Sequence, residues 1–155
     1  MTQGEAYWSV LEPAWNAVSI YDGAARFQRE FATISTKACN LLAAHWCQSE
    51  VCNGGFHQFF TNSTGVLAPE AVEAFRVLGM PELARVVAQA MLWFGPLYPR
   101  DQSTRQAALS GFAAGDPKAS SPFEQLDTSF YRLLDSESGG FYRAADEYAL
   151  AANGA

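Results

Sequence analysis

The feature that most restricts the fold of this chain is a glycine pair inside a helical pattern, in the stretch EVCNGGFHQFF at residues 50–60. The residues before it carry apolar side chains at helical spacing. Asn53-Gly54-Gly55 ends that helix, because asparagine and glycine tolerate the left-handed backbone conformation. Phe56, Phe59 and Phe60 follow at i, i+3 and i+4, which places three rings on one side of a helical turn. The sequence therefore predicts an elbow that turns an aromatic wedge into the protein interior.

The same stretch has a second interpretation, as a functional site. The polar and reactive side chains that flank the glycines and could converge there are Glu50, Cys52, Asn53, His57 and Asn62. Glu50 lies at the C-terminal end of the predicted helix, where the helix dipole disfavours a negative charge. We therefore expect its carboxylate to accept backbone amides of the following turn or to pair with an arginine, which would lock the elbow. A general-base role for Glu50 is the alternative.

The rest of the chain has the pattern of helices separated by glycine and proline. The 155 residues include 26 alanines but only 10 isoleucines and valines together, which favours helices over strands. We expect residues 1–155 to form a single all-α domain, a helical bundle of about seven helices. The predicted helices are 5–20 with Pro13 inside, 25–52 with a local break near 33–36, a short aromatic helix after Gly55, 69–78, 81–94, one from Asp101 or Ser103 to about Gly115, one from the capping box Ser121–Glu124, and 141–152.

The charge balance argues against two classes of partner. Sixteen acidic residues against ten basic ones give a net charge of −6, whereas direct binding of nucleic acid or of an anionic membrane depends on Lys and Arg. The three cysteines crowd into residues 39–52, which favours reduced thiols over a disulfide framework. We recognise no signal peptide in the first residues and no apolar run of the ~20 residues that a membrane span needs, so we expect a cytoplasmic protein.

Residue types that bind metals or act as nucleophiles occur near the elbow, at Cys39, His45, Cys47, Cys52 and His57. Their spacing fits a metal site poorly, because His45 and Cys47 are two residues apart on a predicted helix and point in nearly opposite directions. Cys52 and His57 flank the glycines as a nucleophile and base would, but nothing else in the sequence supports such a pair. The chain carries no phosphate-binding loop and no nucleophile-elbow motif. We predict no metal, no cofactor and no catalytic residue.

Acidic residues are concentrated in the C-terminal third. Residues 116–147 contain seven acids and three bases, a balance of −4. One interpretation is a solvated face with some helix caps. In the other, the carboxylates are placed like phosphates and bind the basic groove of a DNA-binding protein, with a steep salt dependence. The predicted partner-binding face comprises Asp116, Glu124, Asp127, Asp135, Glu137, Asp146 and Glu147.

The residues of the elbow also resemble the signature of a bacterial domain family. The matching positions are Glu50, Asn53, Gly54, Gly55, Phe56, Gln58, Phe59, Phe60, Asn62 and Gly65, with a weaker block at Leu126, Asp127, Phe130 and Tyr131. Over roughly residues 8–152 the chain resembles the family, long catalogued as a domain of unknown function, that is named after a DNA mimic protein. Cys52 stands where we expect a second asparagine in the signature.

This resemblance implies an all-helical, non-catalytic domain. Namesake-type members act as acidic dimers that occupy the DNA site of a transcription factor, and other members resemble accessory or immunity-type proteins. Our main expectation is an acidic protein, with homodimerisation among the possibilities, that binds a protein partner such as a DNA-binding protein. The alternatives are a small enzyme or ligand-binding protein with its site at the NGGF corner, and an immunity-type protein that binds a toxin.

Overall fold

The computed structural model describes residues 2–113 and 121–152. These residues form α-helices and short 3-10 helices and contain no strand, which confirms the predicted all-α fold. The α-helices are α1 (Glu5–Trp15), α2 (Ala24–Phe31), α3 (Thr36–Thr61), α4 (Ala68–Val77), α5 (Pro81–Met91), α6 (Gln102–Ala113), α7 (Glu124–Ser136) and α8 (Phe141–Leu150). The 3-10 helices are Ser63–Leu67, Leu92–Phe94 and Glu137–Gly139.

Helix α3 is the centre of the fold. The break predicted near residues 33–36 separates it from α2, and Ser35 caps it: Ser35 Oγ accepts the N–H of Ala38 at 3.1 Å. The helix extends over 26 residues and packs against α1, α4, α6, α7 and α8. Its buried face before the glycines consists of Ala38, Leu41, Leu42, Ala43, Ala44, Cys47 and Val51.

Helices α4 and α5 form the predicted hairpin. Pro69 and Pro81 lie in the first turns of α4 and α5, where the missing N–H of proline leaves no helical hydrogen bond unmade. The chain reverses through Gly79. Helix α4 packs against α3, and α5 packs against α7, so the hairpin covers one side of the core.

The first and last helices are slightly shorter than predicted. Helix α1 contains Pro13, as expected, and ends at Trp15 instead of residue 20. Helix α8 ends at Leu150. No helix in the described ranges combines the length and apolarity needed to span a membrane.

Asp101, one of the two candidate caps, caps α6. Its Oδ2 accepts the N–H of Thr104 at 3.0 Å and the hydroxyls of Ser103 and Thr104. These bonds stabilise the carboxylate and lower the pKa of Asp101. Gly115, the predicted end of this helix, lies outside the described residues.

The start of α7 differs from the predicted capping box. Ser121 Oγ accepts the N–H of Phe123 at 3.2 Å, and the helix begins only at Glu124. Phe123 is fully buried, in contact with the rings of Phe56 and Phe60. The contact of Phe123 with rings of α3 determines where α7 begins. The residues around Ser121 alone do not reveal this contact.

Candidate functional site at the glycine corner

The glycine corner, residues 50–62, bends α3 as predicted. Gly54 has φ −157° and ψ 24°, and Gly55 has φ +73° and ψ −178°. Neither conformation is helical, so the segment after Gly55 departs in a new direction as a short aromatic helix. The backbone of Gly55 is in a region that residues with a side chain rarely adopt.

The three phenylalanines after the bend are all completely buried. Phe56, Phe59 and Phe60 have 0% exposure. Phe56 lies against Phe130 of α7, with ring centroids 5.5 Å apart, and Phe60 lies 4.9 Å from Phe94. The wedge therefore joins the bend to α7 and to the segment after α5, and its buried rings fill the inner side of the corner.

Helix α7 holds the bend through the weaker block of the family signature. Asp127 Oδ1 accepts the N–H of Phe56 at 2.8 Å, and the hydroxyl of Tyr131 donates to the carbonyl of Val51 at 3.0 Å. One residue thus caps the start of the second segment of α3, and the other caps the end of the first. The two sequence blocks, 71 residues apart at this hydrogen bond, form one structural unit.

The position of Asp127 explains why residue 55 is glycine. A Cβ on Gly55 would lie 2.6 Å from Asp127 Oδ2, closer than real contacts allow. Burial raises the pKa of Asp127, and its hydrogen bond from Phe56 acts in the opposite direction. This carboxylate, predicted as part of the partner-binding face, is a structural group of the corner.

The polar signature residues meet on the outer side of the corner. Glu50 Oε2 accepts Gln58 Nε2 at 2.8 Å and Asn62 Nδ2 at 3.0 Å, and Asn53 Nδ2 donates to Gln58 Oε1 at 3.1 Å. The expected partners of Glu50, backbone amides or an arginine, are wrong: two side-chain amides bind it instead. This network joins the two segments of α3 across the bend.

His57 lies apart from this network. Its side chain is exposed and lies 3.5 Å from the Thr61 hydroxyl through Nδ1. The residues that converge are therefore Glu50, Asn53 and Asn62, joined through Gln58. Three of these residues, Glu50, Asn53 and Gln58, border an open polar depression of about 590 Å³ whose other lining residues are His45, Gln48, Ser49, Cys52 and Tyr142.

Arg105 of α6, which the sequence analysis did not single out, holds the end of the corner. It is fully buried, and its guanidinium donates to four backbone carbonyls: Nε to Phe60 at 2.9 Å, Nη2 to Asn62 at 2.9 Å, and Nη1 to Pro99 and Arg100 at 3.2 and 2.6 Å. Burial lowers the pKa of Arg105. The cation lies at the C-terminus of α3, where the helix dipole favours positive charge.

We call the four hydrogen bonds from Arg105 to backbone carbonyls the Arg105 clamp, and two further observations concern its surroundings. A Cβ on Gly65 would lie 2.8 Å from Arg105 Nε and 2.7 Å from the Phe59 carbonyl, which explains this glycine of the signature. Gln102 and Gln106 both donate to the carbonyl of Thr61, at 3.1 and 3.0 Å. A signal for Arg105 was present in the sequence: it precedes Leu109 and Phe112 at i, i+4 and i+7, on the apolar face of its helix.

Two members of the predicted acidic face bind backbone amides at helix starts elsewhere. Asp146 accepts the N–H of Gly4 at 2.7 Å and of Tyr7 at 3.0 Å, at the start of α1. Glu137 accepts two N–H groups at the start of α5, at 2.8 and 2.9 Å. Together with Asp127, these residues contribute to the fold as remote helix caps.

The remaining members of the predicted face are on the surface. Glu124 and Asp135 are exposed, and exposed Glu147 pairs with Arg143 at 3.0 Å. Asp116 lies outside the described residues. The predicted acidic face therefore contains two kinds of carboxylate, three that hold the fold and three that reach solvent.

The cysteines and histidines do not gather into a metal-binding cluster within the described ranges. Cys39, Cys47 and Cys52 are all free thiols. Cys47 is fully buried, and burial raises the pKa of its thiol well above its usual range. Such a thiol is a poor nucleophile at neutral pH.

Comparison with known proteins gives one match. A family model described as DMP19-like protein matches residues 32–153, which include α3 with the glycine corner and all the later helices. No curated protein and no solved structure matches the chain.

Proposed function

This chain belongs to the DMP19-like protein family, and we propose that it is a non-catalytic binding protein whose acidic surface occupies the basic site of a DNA-binding protein. The proposal rests on the family, on the net charge of −6 and on the state of the carboxylates. A DNA-binding protein presents Lys and Arg to phosphates, and surface carboxylates offer the same charge complementarity.

The observation that carries the proposal is a surplus of negative charge without paired cations in the C-terminal part of the chain. Residues 121–152 contain six carboxylates but only two basic residues, Arg132 and Arg143. Among these residues the one ion pair joins Arg143 and Glu147. The carboxylates that cap helices accept neutral N–H groups, so no side-chain cation cancels their charge. The resulting field attracts a basic partner.

The contacts themselves would come from the exposed acids. Asp127, Glu137 and Asp146 are partly exposed and committed to backbone amides, so they contribute charge to the surface but are less free to bind a partner. Glu124 and Asp135 are exposed on α7, and neither has an ion-pair partner in the described part of the chain. These two side chains are the positions at which a partner arginine or lysine would bind directly.

The experiment is capture of partners from a lysate of the native cells at low salt. The variant Glu124→Gln/Asp135→Asn is compared with Glu12→Gln/Glu73→Gln, which removes the same number of exposed charges from α1 and α4. We expect the wild type and the control to retain a DNA-binding protein that moderate salt or excess duplex DNA releases, and the α7 variant to lose it. Retention of the captured protein in the presence of duplex DNA would contradict mimicry and favour the immunity-type alternative.

The enzyme alternative at the corner has less support. It requires Glu50, Asn53, His57 and Asn62 to converge, but His57 interacts with Thr61 outside the Glu50 network. The buried wedge of phenylalanines fills the inner side of the bend. We therefore propose no reaction for this site.

A further inference from the structure

A second cavity adjoins Glu50 on the side away from Asn53. Its volume is about 400 Å³, and it is lined by Tyr21, Glu50, Asn62, Ser63, Thr64 and Gln102. Thr64 is 2% exposed, and its Oγ1 has no hydrogen-bond partner within the described residues. A buried hydroxyl without a partner is uncommon in proteins, and this one belongs to a residue that lines a cavity beside the Glu50 carboxylate.

Several acceptor oxygens of this cavity have no donor. Asn62 Nδ2 donates to Glu50, and Gln102 Nε2 donates to the carbonyl of Thr61. Both hydrogen bonds to Glu50 end on Oε2. Among the described residues, no donor binds Glu50 Oε1, Asn62 Oδ1 or Thr64 Oγ1. The cavity thus offers acceptor oxygens without a partner around a carboxylate, which suits a cationic ligand with several N–H groups.

The charge of Glu50 is also unmatched in its surroundings. The partners of its carboxylate are neutral amides, and no Lys or Arg lines this cavity. Arg100 and Arg105 line the neighbouring depression. Arg100 is paired with Glu70, and Arg105 is held by backbone carbonyls, so neither cation is free to pair with Glu50.

From this geometry we propose that Glu50 is the anchor for one arginine side chain of the partner protein, a proposal that rests on the proposed function. A guanidinium carries five N–H donors and a positive charge, which suits a carboxylate oxygen flanked by an amide oxygen and a hydroxyl. Tyr21 borders the cavity with 78% of its surface exposed and supplies an aromatic face on which a guanidinium can stack.

The test is a titration of the intact protein with N-acetyl-L-arginine amide, followed by NMR of the side-chain amide resonances of Gln58, Asn62 and Gln102. The matched control is N-acetyl-L-citrulline amide, which has nearly the same shape but no charge. We expect saturable shifts with the arginine compound and none with the citrulline compound. Absence of saturation with arginine, or equal shifts with both compounds, would overturn the proposal.

Two variants localise the binding. Glu50→Gln removes the charge and should weaken arginine binding by at least about tenfold. Glu50→Gln also alters the hydrogen bonds of the corner, so Thr64→Val serves as a second variant. It replaces a buried hydroxyl without a partner by a methyl group and should leave the fold intact. We expect Thr64→Val to weaken arginine binding several-fold. Wild-type affinity in both variants would refute the site.

The outcome is separable from that of the proposed function. The titration uses a small probe and needs no partner protein, whereas the capture experiment changes carboxylates of α7 and leaves Glu50 in place. Saturable arginine binding together with failed capture would retain the arginine site and reject DNA mimicry. Successful capture that duplex DNA reverses, without arginine binding, would retain mimicry and reject Glu50 as an anchor.

Discussion

Gly55 shows how a single residue sets the geometry of the corner. Its φ of +73° and its distance from the Asp127 carboxylate both exclude a side chain. Gly111, by contrast, lies within α6 with nothing within 4 Å of its Cβ position. The two glycines therefore form a matched pair in which one is required and the other is not.

We expect Gly55→Ala to lower the free energy of unfolding by about 2–3 kcal/mol, because it forces a non-glycine residue into a strained backbone region and displaces Asp127. Gly111→Ala should leave stability unchanged or raise it by about 0.5–1 kcal/mol, since alanine loses less backbone entropy in a helix. Urea unfolding of both variants measures the difference. Equal stabilities would show that the bend does not depend on glycine.

His45 lies within a cluster of aromatic side chains. Its ring is 5.5 Å from the rings of Trp8 and Trp15, and its Nδ1 is 3.2 Å from the hydroxyl of Tyr7. Burial lowers the pKa of His45 from 6.5 to about 4. His45 therefore packs in the folded state as a neutral imidazole, and its protonation destabilises the folded state.

The pH dependence of stability follows from this shift. Between pH 6.5 and about 4 the unfolded chain carries a proton on His45 and the folded chain does not. Stability therefore falls as the pH drops through this window and is independent of His45 above it. We expect the loss between pH 7 and pH 5 to be smaller in His45→Gln than in the wild type, by on the order of 2 kcal/mol. Parallel urea titrations at the two pH values test this, and identical losses would contradict it.

At the level of elements, α3 is two helical segments held by two other helices. Helix α7 caps the bend through Asp127 and Tyr131. Helix α6 binds the carbonyls at the end of α3 through Arg105, Gln102 and Gln106. Side chains of α6 and α7 therefore form hydrogen bonds with backbone groups at the bend and at the C-terminal end of α3. These bonds fix the angle between the two segments.

Arg105 makes four hydrogen bonds to backbone carbonyls, more than any other side chain of this group. Arg105→Met would leave several buried carbonyls without donors and remove a favourable charge from the helix C-terminus. We expect a loss of about 3–5 kcal/mol, seen as a lower midpoint in urea unfolding. The control Arg85→Met removes an equal charge from an exposed pair with Glu82 and should cost less than about 1 kcal/mol. Similar losses in the two variants would show that the clamp is not important for stability.

At the level of the whole molecule, the fold extends beyond the residues that the family model matches. The match begins at residue 32, after α1 and α2. Yet α1 packs on α3 and α8: Leu11 is fully buried, Trp15 stacks on Trp46 at 4.8 Å, and Asp146 caps the start of the helix. Helices α1 and α2 therefore complete the core.

We expect a chain that lacks residues 1–31 to lose much of its stability, because it uncovers the faces of α3 and α8 on which α1 packs. Loss of the buried side chains of Tyr7, Leu11 and Phe27 removes several kcal/mol of apolar burial. Calorimetry should show a transition at least about 10 °C lower than that of the full chain, or no cooperative transition. An unchanged transition would mean that the family core folds without these helices.

Local sequence determined the elements and the bend. Alanine content, apolar periodicity, prolines at helix starts and the pair Gly54-Gly55 each act through the backbone of a few neighbouring residues, so the helices, the break before α3 and the aromatic wedge could be predicted. The predicted start of α7 at the capping box was wrong, because Phe123 is buried against the aromatic wedge and the helix begins only at Glu124.

Only the tertiary structure decided what the charged residues do. Asp127, Glu137 and Asp146 resemble surface acids in the sequence, yet each accepts amides from a segment more than 50 residues away. Glu50 binds two side-chain amides in place of backbone amides or an arginine, and Arg105 meets the end of α3. The partners of a charge are set by which helices pack together, because hydrogen bonds act over a few ångströms in space and not along the chain.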